Sequence, residues 1–310
     1  ILLVNGNTMY NQKNKDQLCQ LRSIEEAVLN AISKEKLPGA VILVGHQGSV
    51  VYKNAFGNKS IYPFKRPMRV TTIFDLASLT KVIATTSSIM KLIEEGKIGL
   101  NDPITNYFPG IYGGEKNNIS IRDLMTHYSG LKPGLDLSVP WLGYQEGIRL
   151  ILQEGVISPP GIKFIYGDNN FSLLGEIVRR VSGKPLDVFS KEEIFSHLDM
   201  KDTFFRPTKK LRWRIAPTQH KKGRTGEVLW GVVHDPIAQR MEGLSGNAGL
   251  FSTVDDLSIF AQMILDGGIY KGKRIFSPST IYKMTSPQSP PGKEFIRGLG
   301  WDINLKISQS

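Results

Sequence analysis

The chain has a single cysteine, Cys19, so an intramolecular disulfide is excluded. The residues just before it, Gln17-Leu18, lack the small side chains that precede a lipidated cysteine, and a free, packed thiol is expected. Histidine is almost as sparse. His46, His127, His197, His220 and His234 never pair at metal-ligand spacing, so neither a zinc site nor another metal cofactor is expected. No stretch of the sequence approaches the ~20 apolar residues that a membrane span requires. The opening Ile-Leu-Leu-Val is too short for the core of a signal peptide, and no initiator methionine precedes it. A processed or trimmed chain is therefore expected.

What remains is an ordinary globular composition: 310 residues, 40% hydrophobic and 22% charged. That length suits one large α/β domain with an insertion, or two modest domains. The net charge is +11, from 39 basic and 28 acidic residues. Such a balance attracts wall polymers, membrane surfaces or nucleic acid when it is concentrated. Here the basic residues are spread along the chain in short clusters, among them Lys209-Lys210 and Lys221-Lys222. No zinc-finger spacing or aromatic-basic RNA motif accompanies them, so a solvated basic surface is expected and a nucleic-acid partner is not.

Residues 1–20 are polar and irregular and read as an arm. Ser23-Ile24-Glu25-Glu26 is a capping box, and Ile24, Ala27, Val28 and Ile32 then give the one-sided spacing of an amphipathic helix that Leu37-Pro38-Gly39 stops. Ala40 to Gly45 and Ser49 to Tyr52 read as a hairpin turning through Gly48. Thr72 to Ala77 is apolar and runs into a helical pattern from Ser78 to Glu95, closed by Gly96. Ser120 caps a later helix, and Asn170 opens another with Phe171, Leu174, Ile177, Val178 and Val181 on its buried side. A further helix runs from Asp255 to Leu265 and ends at Gly267-Gly268.

This order predicts an α/β (α+β) fold. An α/β subdomain comes from residues 21–74 and 248–310, with a mostly helical subdomain, 75–247, between them. A lone hairpin is at best marginal, so the sheet needs more strands, and residues 269–310 supply few. C-terminal strands therefore look to be missing, and the protein is expected to continue past Ser310.

Ser-x-x-Lys occurs four times, and context separates the copies. A serine nucleophile needs an exposed hydroxyl at a helix start, where backbone N–H groups can hold a developing oxyanion. Its lysine must follow one turn later on the same face. Ser33 and Lys36 fall in the last turn of a surface helix, Ser88 and Lys91 in mid-helix, and Ser129 and Lys132 in a loop around Gly130 and Pro133. Only Ser78 and Lys81 sit where an extended segment becomes a helix. Locally, a simple helix N-cap explains Ser78 equally well.

The wider sequence resembles a known family. Phe74-Asp75-Leu76-Ala77-Ser78-Leu79-Thr80-Lys81 is similar to the nucleophile segment of the serine β-lactamase and penicillin-binding-protein superfamily, in particular class C β-lactamases and D-alanyl-D-alanine carboxypeptidases. Leu124-Met125-Thr126-His127-Tyr128-Ser129-Gly130-Leu131 resembles a structural turn of that family. Phe164-Ile165-Tyr166-Gly167-Asp168-Asn169-Asn170-Phe171 resembles its tyrosine motif, and Gly246-Asn247-Ala248-Gly249-Leu250-Phe251-Ser252-Thr253 the segment before its late helix. These runs follow the family's order over most of residues 20–305. Tyr52-Lys53-Asn54 also has the letters of the tyrosine motif but lies in a strand, where tyrosine packs commonly.

The resemblance implies a β-lactamase/transpeptidase-like fold, with an antiparallel sheet flanked by helices. It also implies a serine hydrolase working through an acyl-enzyme on amide or ester bonds without a cofactor. Ser78 would be the nucleophile, Lys81 would help remove its proton, Tyr166 would relay protons, and Asp168 would support substrate. β-Lactams, D-alanyl peptides and small esters are the substrate classes implied, with the periplasm or cell envelope as location. The alternatives are a family VIII-type carboxylesterase and a catalytically impaired binding module of the same fold.

Two departures stand out. The tyrosine motif usually ends in Asn where this chain has Asp168, and a carboxylate only accepts hydrogen bonds where an amide also donates. The third motif, Lys-Thr-Gly or His-x-Gly on a strand, has no credible match. Lys97-Ile98-Gly99, Lys132-Pro133-Gly134, Lys221-Lys222-Gly223 and His46-Gln47-Gly48 lie in turns or loops. In the family this motif follows a segment like Gly298-Leu299-Gly300-Trp301, which puts it beyond residue 310.

Overall fold

The computed structural model describes residues 13–110, 114–219 and 227–303. His220, the Lys221-Lys222 pair and residues 304–310 lie outside these, as does the side chain of Cys19. Among the described residues, no helix is long and apolar enough to cross a membrane.

The first helix, α1 (Lys13–Ser33), starts well before the capping box at Ser23. The stretch 13–20, expected as part of an arm, is its opening turns. No Gly or Pro interrupts Lys13 to Ser33, so nothing in the backbone stops the helix from extending backwards. β1 (Gly39–His46) and β2 (Ser49–Ser60) then pair antiparallel. Gln47 and Gly48 both take positive φ, 48° and 77°, as a two-residue hairpin loop demands. β2 continues past the expected end at Tyr52 and pairs with β3 (Arg66–Pro67).

A second sheet forms from β4 (Phe74–Asp75), β5 (Phe204–Phe205) and β6 (Leu250–Ser252), with β6 in the middle and antiparallel to both neighbours. Beyond β4 a π-helical turn, Lys81–Thr86, runs directly into α2 (Ser87–Glu94). The middle of the chain is helical, as expected: α3 (Ile121–Thr126), α4 (Tyr144–Gln153), α5 (Asp168–Ser182), α6 (Leu186–Ser190) and α7 (Pro236–Arg240). Ser120 caps α3 through a full capping box with Asp123. α5 opens at Asp168, slightly ahead of Asn170.

The C-terminal part adds α8 (Val254–Leu265), a short hairpin of β7 (Ile269–Tyr270) and β8 (Lys273–Arg274), and α9 (Pro278–Thr285). α9 was not foreseen from the sequence. At 8 residues it is too short to show a clear period, and its signals are local: Ser277 accepts from the Thr280 N–H, and Pro278 occupies the first turn. α1 packs on β2 and α8 on β1, so helices from the two ends of the described chain flank one hairpin.

α5 is the central strut. Phe171, Leu174, Ile177 and Val178 are fully buried, and the helix touches α2, α3, α4 and α6. One continuous apolar core includes Leu76, Ile83 and Ile177 together with Leu250, Phe260 and Phe276. Glu176 is also buried in α5. Its carboxylate is held by Arg179 and Arg180, each at 2.7 Å, which is how a buried charge is tolerated.

The loop leading into β6 lies hard against this strut. A Cβ on Gly246 would stand 1.9 Å from the Phe171 carbonyl oxygen, and the Gly246 carbonyl accepts from Thr85 Oγ1 at 2.7 Å. Both neighbours are fixed, one as helix backbone and one by its hydrogen bond. Gly246→Ala is therefore expected to destabilise the protein by about 3 kcal/mol, the upper end for overpacking. Denaturant unfolding checks this, and an unchanged midpoint would contradict the packing described.

Candidate active site

The end of β4 sets the site. Phe74 and Asp75 pair with Ser252 and Phe251, and the Leu76 N–H donates to the Leu250 carbonyl at 2.9 Å. The chain then turns sharply through Ala77, whose φ is +45°. A non-glycine residue in that region stores strain of about 1–3 kcal/mol. The Asp75 carboxylate holds the turn, accepting from Ala77 N–H at 2.9 Å and from His234 N–H at 2.6 Å. Burial pushes the Asp75 carboxyl up from its ordinary value, and those two backbone donors offset only part of the rise.

Ser78 follows the turn and is exposed, while Lys81 beneath it is buried at 2%. Ser78 Oγ meets the amine of Lys81 at 3.0 Å, so this side chain does more than cap a helix. The same Nζ donates to Asp168 Oδ1 at 2.7 Å and to the Asn247 carbonyl at 3.1 Å. Three acceptors thus surround a group that has three N–H donors when charged. Thr80 ties the start of the helix to β6, its Oγ1 accepting from Leu250 N–H at 3.1 Å.

The other Ser-x-x-Lys copies make no such pair. Ser33 Oγ donates to the Asn30 carbonyl within α1. Ser88 donates to Ala84 in the helix interior while Lys91 reaches the Ile275 carbonyl. Ser129 donates to Asn170, and Lys132 pairs with Glu154 at 3.4 Å. Tyr52 is likewise engaged elsewhere, donating to Glu25.

Tyr166 and Asp168 reach the site from a loop and the first residue of α5. The Tyr166 ring centroid lies 5.2 Å from Lys81 Nζ, and the tyrosine is 45% exposed, facing solvent above the lysine. Asp168 stands at a helix N-terminus, where the helix dipole favours a carboxylate. The structure therefore gathers Ser78, Lys81, Tyr166 and Asp168 around one amine.

Several supporting groups escaped the sequence reading. His127, read only as part of a structural turn, is fully buried and clamps the tyrosine segment. Its carbonyl accepts from Ile165 N–H at 2.9 Å and its Nδ1 from Gly167 N–H at 3.2 Å, while its ring lies 4.4 Å from that of Tyr166. Because Nδ1 accepts, the ring is neutral with its proton on Nε2. Burial, and then the Arg297 and Lys81 charges, hold His127 well below the ordinary histidine value of 6.5. Asn170 reinforces the clamp, its Nδ2 3.1 Å from the same Nδ1 and its Oδ1 accepting from Ser129. Gly167 must be glycine here, since a Cβ would meet the Pro133 backbone at 2.9 Å.

Asn247 contributes a backbone carbonyl, which no side-chain motif can announce. Its amide is pinned by Asp235 at 3.1 Å. Arg297 is buried at 3%, paired with Asp302 and 5.8 Å from the Phe164 ring. Burial lowers its guanidinium from the ordinary value. Arginine is rarely enclosed, so sequence gives no reason to place it there. Among the described residues, no cluster of His, Cys, Asp or Glu could hold a metal ion.

A family model described as Beta-lactamase matches residues 21–309. The chain belongs to the Beta-lactamase family. It is 31% identical over 319 residues to an N-acetylmuramyl-L-alanine amidase of Bacillus subtilis (strain 168), covering 92% of this chain and 71% of that one. It is 33% identical over 299 residues to an Escherichia coli (strain K12) protein provisionally named a D-alanyl-D-alanine carboxypeptidase, covering 86% and 68%.

Among solved structures, the octameric penicillin-binding protein homologue from Pyrococcus abyssi superposes with a TM-score of 0.72 at 24% identity, over 90% of this chain and 64% of that one. EstCE1, a hydrolase with promiscuous acyltransferase activity, gives 0.74 at 22%, over 94% and 84%. Both establish the fold: helices and antiparallel sheets in the β-lactamase/transpeptidase-like arrangement. This Beta-lactamase family member is a serine hydrolase.

Neutral, buried His127 has a consequence for stability. Unfolding lets the imidazole take a proton below about pH 6.5 that the folded state refuses, so stability falls as pH drops through that value, by up to about 1 kcal/mol per pH unit. His127→Asn, which tolerates the residue's left-handed backbone (φ 61°) but does not titrate, is expected to flatten this slope. Urea unfolding between pH 5 and 7 provides the measurement. An equal slope in both proteins would show that the imidazole is not held neutral.

Proposed function

We propose that this serine hydrolase cleaves the terminal amide of D-alanyl wall peptides through an acyl-enzyme on Ser78. The observation that carries the reading is the Lys81 amine, held between Ser78 Oγ at 3.0 Å and Asp168 Oδ1 at 2.7 Å beneath an exposed Tyr166. The substrate class is supported by relatives over 30% identical that are named N-acetylmuramyl-L-alanine amidase and D-alanyl-D-alanine carboxypeptidase.

In the proposed reaction, Ser78 Oγ bonds to the carbonyl carbon. Lys81 first sheds one proton to solvent; its free lone pair then takes the hydroxyl proton, and the ammonium so formed passes one proton, through Tyr166, to the leaving nitrogen. The C–N bond then breaks, free D-alanine departs, and the peptide remains as an ester on Ser78. Water repeats the attack, its proton drawn by the same pair. The ester C–O bond breaks and the hydroxyl is restored. The Ser78 N–H makes no hydrogen bond among the described residues and is available to the carbonyl oxygen. Loss of one such donor lowers rates ~100- to 1,000-fold.

Asp168 is the specificity element of this proposal. Its carboxylate offers acceptors only and pairs with Lys81, whereas an amide would also donate to a bound β-lactam carbonyl. Asp168→Asn is expected to raise acylation by penicillin roughly tenfold relative to a D-alanyl peptide, the scale of one hydrogen bond. An unchanged ratio, read from stopped-flow acylation and D-alanine release, would remove Asp168 from substrate choice.

Two covalent probes test the reaction itself. A fluorescent penicillin and a fluorophosphonate are expected to label the wild-type protein, and Ser78→Ala is expected to take neither. Labelling by fluorophosphonate alone, with no D-alanine released, would favour an ester substrate. Wild-type activity surviving in Ser78→Ala would sink the acyl-enzyme.

A further inference from the structure

The net charge of +11 is not spread evenly over the folded surface. Two segments without any acidic residue, 61–69 and 209–214, carry Lys65, Arg66, Arg69, Lys209, Lys210, Arg212 and Arg214. They are far apart in sequence and laced together in space. Lys59 Nζ donates to the Trp213 carbonyl, and Arg214 Nη2 to the Thr71 carbonyl at 3.2 Å. Arg66 and Arg212 both stack on Trp230, at 4.5 and 4.9 Å from its ring centroid. Burial lowers the Lys59 amine from its ordinary value, and repulsion from Arg66, Arg69 and Arg214 lowers it further. Arg214 pairs with Asp202 at 2.6 Å.

The same two segments expose large apolar side chains. Phe64 is 69% exposed, Ile61 59% and Trp213 58%, with Tyr62 beside them at 39%. A cationic surface alone fits any polyanion. Protruding Phe, Ile and Trp side chains gain little from a soluble polymer but gain much from an acyl-chain boundary, and aromatic rings ringed by Lys and Arg suit the headgroup region.

We propose that residues 61–69 and 209–214 form a docking surface for an anionic lipid bilayer. Lys65, Lys209, Lys210 and Arg69 meet the headgroups, and Ile61, Phe64 and Trp213 enter the interface. The surface uses none of Ser78, Lys81, Tyr166 or Asp168, so it stands whatever the substrate proves to be.

The test is co-sedimentation of the protein with vesicles of phosphatidylglycerol and phosphatidylcholine, against pure phosphatidylcholine. Binding to the anionic vesicles and not the neutral ones is expected. Lys65→Gln with Lys209→Gln and Lys210→Gln should lower the partition coefficient by about 100-fold, at the usual gain per basic residue near an anionic surface. Ile61→Ser with Phe64→Ser should weaken binding further in high salt, where charge is screened. Equal sedimentation with both vesicle types, or with neither, overturns the proposal. So does anionic binding that ignores Ile61 and Phe64 and is matched by competition from soluble polyphosphate, since that identifies a polyanion as the partner. Turnover of a soluble substrate checks that each variant is folded.

Discussion

Everything at the candidate site converges on the amine of Lys81. It is buried, and a buried ammonium is tolerated only where its donors are used and its charge is met. Here the three donors go to Ser78, Asp168 and the Asn247 carbonyl, which come from three separate stretches of chain. The lysine is thus a chemical group and also the point at which the segment after β4, the start of α5 and the loop before β6 are registered against one another. Loosening any of these would leave a charge without a partner inside the protein.

The support around that amine is layered. Asp75 holds the strained Ala77 turn from below, His127 and Asn170 hold the Tyr166-Asp168 segment from the side, and Asp235 pins Asn247. Each support is itself buried or half-buried, so its bonds face little competition from water. Close backbone contacts at Gly167 and Gly246 let α5 approach both neighbouring loops. The strain at Ala77 is affordable because β4, β6 and the helix start fix the residues on either side.

Charge shows the same dependence on folding. Along the sequence the basic residues form only short, scattered pairs, and a featureless solvated surface is the natural reading. In the folded chain, the stretch after β2 and the stretch after β5 lie side by side, joined through Trp213 and Trp230. Their like charges become neighbours, and the missing acidic residues in both stretches become one basic face.

The sequence by itself determined the family and much of the order of helices and hairpin, and it singled out Ser78 among four Ser-x-x-Lys copies as the candidate nucleophile. Those features are local: a period, a cap, a helix start, a run of motif residues. It also supplied Tyr166 and Asp168 as candidates, through their position before a helix. The extent of α1 and the existence of α9 were not legible, because the opening turns of α1 are polar and α9, at 8 residues, is too short to show a clear period. The roles of His127, Asn247 and Arg297 were decided only by tertiary structure. A backbone carbonyl, a neutral imidazole and an enclosed guanidinium acquire their properties from what surrounds them, and those surroundings come from residues distant in the chain. The pairing of Lys81 with Asp168 across 87 positions is of the same kind: the residue types were visible, and only the fold brought them to 2.7 Å.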